Sequence, residues 1–152
     1  LDQTLIGYGV TSHSKSIENL GDIKMTPLEE EIVKLSRIWY HFVSVDHHKD
    51  RDCHWYIEQY FSYGEAPYYR AYHYGYVGDR FEGTKCTTLE EAQEELKDRL
   101  ALEIHKAKIW VNRNLKEAQE NPESWYDPEE YKRMLHYLNG GEWKENYETI
   151  NS

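Results

Sequence analysis

Apolar residues recur along this chain with two different periods, and each change of period marks an element. From Thr26 the spacing is helical, with Leu28, Ile32, Val33 and Leu35 forming the apolar stripe of a short helix that ends near Ser36. Its start is well marked. Thr26 can cap, Pro27 suits the first turn because its missing N–H would be unpaired there anyway, and Glu29 completes a capping box. Beyond Ser36 the composition turns β-branched and aromatic, so Ile38 to Asp46 reads as a strand. His47 to Asp52 is a polar turn, Cys53 to Tyr63 a second strand, and Gly64-Glu65-Ala66-Pro67 another turn. Tyr68 to Val77 forms a third strand, and Gly78-Asp79 closes a tight hairpin into a short fourth, Arg80–Cys86. Loops this short join antiparallel neighbours.

The helical period then returns. Thr87 or Thr88 can cap, with Glu90 or Glu91 reaching back. Leu89, Ala92, Leu96, Leu100, Ile104, Ala107, Val111 and Leu115 follow at three- and four-residue steps until Glu120-Asn121-Pro122. Asp127-Pro128-Glu129-Glu130 repeats the capping pattern for a third helix, which Asn139-Gly140-Gly141 stops. Before all this, Thr4, Ile6, Tyr8 and Val10 alternate weakly. The last dozen residues are polar apart from Trp143 and Tyr147.

The expected fold is therefore α+β. A three- or four-stranded antiparallel meander spans about 38–86, and a long helix at about 88–119 packs on one face. Short helices lie near 27–36 and 128–138. Residues 1–25 are an arm or an edge strand, and 26–152 a single domain with a helical C-terminal extension.

Alternation gives each strand two sets of side chains. Trp55, Ile57, Phe61, Ala71 and Val77 belong to sets that suit the underside of a helix. Tyr56, Glu58 and Tyr60 on the second strand and Tyr68, Arg70, Tyr72, Tyr74 and Tyr76 on the third belong to sets that cannot all be buried without many paired polar groups. The stretch from Trp39 to Phe81 holds nine of the fourteen tyrosines and five of the eight histidines, more aromatic surface than one buried face can use. Three uses compete for the row Tyr56, Tyr60, Arg70, Tyr72, Tyr74 and Tyr76. A helix can cover it as a second core, another protein can dock on it, or nucleotides or a sugar ring can stack on it.

Charge narrows these choices. The chain carries 28 acids against 18 Lys and Arg, a net −10. The sheet region is close to neutral and the helices hold the negative field. Direct binding of nucleic acid is disfavoured, because an acidic protein is repelled by phosphate. Two cysteines make no disulfide framework, and no apolar run is long enough to cross a bilayer, so a cytoplasmic protein without cofactor is expected.

Three further clusters carry candidate chemistry. His47, His48, Cys53 and His54 offer zinc-competent donors around one turn, but no pairing at metal-ligand spacing supports a site. His41 would face Glu58 if the first two strands pair with residue numbers summing to 99. That arrangement, with His54 and Arg70 nearby, is the basis for an alternative reading as a small hydrolase or ligand-binding enzyme. Glu90, Glu91, Glu94, Glu95 and Asp98 crowd the first turns of the long helix. There they complement its dipole, or they imitate a phosphate track for the basic groove of a nucleic-acid enzyme. The build, a small aromatic meander with acidic helices, is similar in style to phage and mobile-element proteins that block host machinery. No motif carries that likeness. The favoured reading is a non-enzymatic binding or regulatory protein that contacts another protein.

Overall fold

A computed structural model describes residues 2–8, 24–46, 54–74 and 80–144. The side chains of 2–8, Asp46, His54 and Tyr74 are outside that description. In chain order the elements are β1 (Asp2–Tyr8), α1 (Pro27–Asp46), β2 (His54–Phe61), β3 (Tyr68–Tyr74), β4 (Arg80–Glu82), α2 (Leu89–Glu120) and α3 (Pro128–Leu138). The four strands form one antiparallel sheet in the order β1-β2-β3-β4. The α+β architecture, the meander and the long helix on one face are all present.

One expected element is different. Ile38 to Asp46 is not a strand but the second half of α1, a helix of 20 residues where a short one was expected. Ile32, Ser36, Trp39 and Val43 are all buried and follow one another at steps of four, three and four, so a helical stripe runs straight through the β-branched segment. Each Val or Ile loses only a few tenths of a kcal/mol of helix propensity, roughly, against about 1.5–3 kcal/mol for burying its side chain. Packing on α2 and α3 decides the outcome. The vacated place at the sheet's edge is filled by β1, which pairs with β2 from Asp2↔Phe61 to Tyr8↔Trp55.

The helix ends follow their local signals. At α1, Thr26 N–H donates to Glu29 Oε1 at 3.1 Å and Glu29 N–H to Thr26 Oγ1 at 3.2 Å, a reciprocal capping box. Thr88 caps α2 by accepting from Glu91 N–H at 3.1 Å, and Asp127 caps α3 by accepting from Glu129 N–H at 3.0 Å. Gly140, at φ +87°, takes the left-handed position that ends α3, and Gly141 N–H returns to the carbonyl of His136.

The core lies between the sheet and the three helices. From the strands it takes Trp55, Ile57 and Ala71, with His73 buried beside them. From the helices it takes Trp39, Phe42, Leu96, Leu100, Val111, Tyr137 and others. His73 lies flat on Trp55, its cross-strand partner, with ring centroids 3.9 Å apart, and Trp39 meets both rings edge-on.

Candidate functional site

Register places the opposite sheet face. Tyr56 pairs with Tyr72, Glu58 with Arg70 and Tyr60 with Tyr68, and Glu82 on β4 pairs with Tyr72. Directly paired residues share a face. This one therefore carries two tyrosine rows with a charged row between them. None of these side chains belongs to the core cluster, whereas Tyr69 and Phe81, one residue out of phase, pack against it. The rows are ordered nonetheless. Tyr56 and Tyr72 stack with centroids 5.4 Å apart and 19° between planes, and Tyr60 and Tyr68 stack at 4.8 Å and 16°. Each of the four is half-buried.

Polar bonds tie the rows together. The Tyr60 hydroxyl donates to the Glu58 carboxylate, and the hydroxyls of Tyr60 and Tyr72 lie 2.5 Å apart. Arg70 donates to Glu82 at 2.6 Å and does not use Glu58, its cross-strand partner. Partial burial, then the bonds to Glu58 and Tyr72, push the Tyr60 phenol well above the usual tyrosine range. Lys85 Nζ lies 4.4 Å from the Tyr68 ring centroid. Of the tyrosines expected on this face, Tyr74 is placed by its backbone in β3, and Tyr76 lies outside the described residues.

The expected pairing of His41 with Glu58 does not occur. His41 is on α1, while Glu58 pairs with Leu5 and Arg70 in the sheet. The failure follows from the helical form of 38–46. His41 packs instead on Tyr137 and Trp143, at 5.4 and 5.2 Å between centroids. Burial there, helped by the charge of Arg37, holds its imidazole below the usual histidine range. A groove of about 590 Å³ opens beside it between α1 and the end of α3, lined by Met25, Val33, Arg37, His41, Gly141 and Trp143 among others.

The acidic candidates on α2 divide by use. Glu91 is a capping residue, accepting from its own N-cap Thr88 and from Thr87. Glu95 accepts from the backbone N–H and the hydroxyl of Thr84, and the Cys86 thiol lies 3.6 Å from it. Glu94 pairs with Lys97 at 2.8 Å, and Asp98 lies 3.7 Å from the same ammonium. Glu90 is exposed. Burial, with the carboxylates of Glu95 and Glu91 close by, pushes the Cys86 thiol up, so it is a poor nucleophile.

Among the described residues, no group of three or more His, Cys, Asp or Glu side chains is placed to hold a metal ion. The candidates His47, His48 and Cys53 lie outside those residues, as does the side chain of His54. No described helix is long and apolar enough to cross a membrane. Sequence reasoning did not single out Trp125, which stands fully exposed on the turn between α2 and α3. Its only signal was a tryptophan between two caps. Comparison with family models, with curated proteins and with solved structures finds no match for this chain.

Proposed function

We propose that this chain is a non-enzymatic binding or regulatory protein whose tyrosine face is the contact surface for another protein. One observation carries the reading. The core draws on the Trp55, Ile57 and Ala71 side of the sheet, and Tyr56, Tyr60, Tyr68 and Tyr72 stay outside it as an ordered, half-exposed array. Tyrosine is enriched at binding hot spots because a rigid amphipathic ring gives contact area at little entropic cost. In this reading the protein works in the cytoplasm, and its net charge of −10 steers it toward basic partners, among them the grooves of nucleic-acid enzymes. The ridge at the start of α2 assists through its field, the carboxylates of Glu91 and Glu95 being engaged in internal bonds.

The test is affinity capture from the native host with the wild type and a Tyr60→Ala, Tyr72→Ala double variant, each with a thermal melt. Loss of the captured partner with only the modest loss of stability that the surface stacks and hydroxyl bonds account for, about 1–2 kcal/mol, supports the reading. A loss of several kcal/mol of stability identifies the face as structural and defeats it.

A further inference from the structure

The direction of each hydrogen bond on the tyrosine face indicates what kind of partner it takes. A carboxylate only accepts, so Tyr60 spends its one hydroxyl hydrogen on Glu58. The short contact between the two hydroxyls then requires Tyr72 to be the donor to Tyr60. Arg70, two residues from Tyr72 on β3, donates to Glu82. A chain of donors runs from Tyr72 through Tyr60 to Glu58, and both hydroxyl hydrogens are consumed within it. Of the nearby cations, Arg70 bonds to Glu82, Lys85 lies over the Tyr68 ring and Arg80 has an interaction of its own. The surface that the two tyrosine rows and their carboxylates leave open is electron-rich. It consists of phenol lone pairs, the open faces of the tyrosine rings, and the spare carboxylate oxygens of Glu58 and of the exposed Glu82.

We infer that this face receives an arginine-rich segment of a partner protein. The inference rests on the proposed role of the face and names the chemistry that the face selects. A guanidinium can lie flat on a tyrosine ring while its N–H groups fork onto a carboxylate, satisfying the two kinds of site that are open here. Phosphate and the carbonyls of a polyproline segment need donors, which Tyr60 and Tyr72 have already committed. The net charge of −10 draws a cationic segment toward the molecule as a whole, and on this face the carboxylates of Glu58 and Glu82 are what would seat it.

The experiment titrates the full chain, labelled for NMR, with short synthetic probes: an Arg-Gly repeat, a Glu-Gly repeat, a polyproline peptide and a thymine oligonucleotide. The Arg-Gly peptide is expected to shift amides of residues 56–60 and 68–72. Its affinity should fall about tenfold or more in a Glu58→Gln, Glu82→Gln variant that keeps its melt. If polyproline or the oligonucleotide occupies the face and the Arg-Gly peptide does not, the arginine inference fails while the contact-face reading stands. If Arg-Gly moves only amides of α2, the contact is with its acidic ridge and the inference fails. If no probe shifts the face, and host capture also survives Tyr60→Ala, Tyr72→Ala, both readings fail.

Discussion

Glu95 takes both polar hydrogens that Thr84 offers, its Oε1 accepting the backbone N–H and its Oε2 the hydroxyl, each at 2.7 Å. The pair ties the second turn of α2 to the segment leaving β4. Gly83 leaves room for it, since a Cβ there would lie 2.8 Å from the same carboxylate oxygen. Glu95→Ala is therefore expected to cost about 1–2 kcal/mol in urea unfolding, the range for charge-assisted bonds discounted for exposure. Asp98→Ala, at a side chain 76% exposed, should stay within about 0.5 kcal/mol. Equal effects at the two positions would remove the clamp.

The bonded phenol of Tyr60 predicts an alkaline limb in the stability curve. Its folded pKa is raised, by burial first and then by Glu58 and Tyr72, so the unfolded chain loses this proton more readily. The stabilisation is complete below the ordinary value of 10.0 and declines as pH rises past it. Tyr60→Phe should flatten the profile above pH 10 relative to the wild type. An unchanged alkaline limb would show that the bond does not hold the proton.

His41 acts on the acid side with the opposite sign. Its folded pKa is lowered by burial and by Arg37, so its contribution is present above the ordinary 6.5 and is lost as pH falls through the folded value. NMR titration should place its imidazole below 6.5, and Arg37→Gln should move it upward. A midpoint at or above 6.5 would mean that the packing on Tyr137 and Trp143 is looser than described.

Two tryptophans mark the extremes of the molecule. Trp55 is 2% exposed and stacked on His73, so Trp55→Ala should cost about 3–5 kcal/mol through the cavity it leaves. Trp125→Ala should leave the melt where it is and should strongly reduce quenching of fluorescence by iodide, because Trp125 is the most exposed indole among the described residues.

Much of this was legible because the signals are local. Thr26 and Glu29, Thr88 and Glu91, and Asp127 set three helix starts with side chains one turn or less apart. Gly64 at φ +80° marks the β2–β3 turn. Strand alternation separated Trp55 and Ile57 from Tyr56 and Glu58 without any knowledge of the fold. The segment 38–46 reads as a strand by its β-rich composition, against its spacing. Ile32, Ser36, Trp39 and Val43 already had a helical rhythm, with no glycine or proline to interrupt it. A strand there would put His41 in the sheet opposite Glu58, a pairing that the fold does not make. Glu95 looked like a surface charge for a different reason. Its partner Thr84 is eleven residues away, and no periodicity reports a contact of that kind.

The second half of α1 has a consequence for the chain before it folds. From Ile38 to Val45 there is no Asp, Glu, Lys, Arg, Gly or Pro, and four of the eight residues are Ile, Val or Phe. Inside α1 the backbone of this run bonds to itself. In an unfolded chain the same run is a template for intermolecular cross-β stacking, held in check by Arg37 and Asp46 at its two ends. The capping box at Thr26 and Glu29 helps to form the helix that hides this run. Damage to it would be felt first as aggregation during refolding, at protein concentrations where chains meet before α2 and α3 have closed over α1.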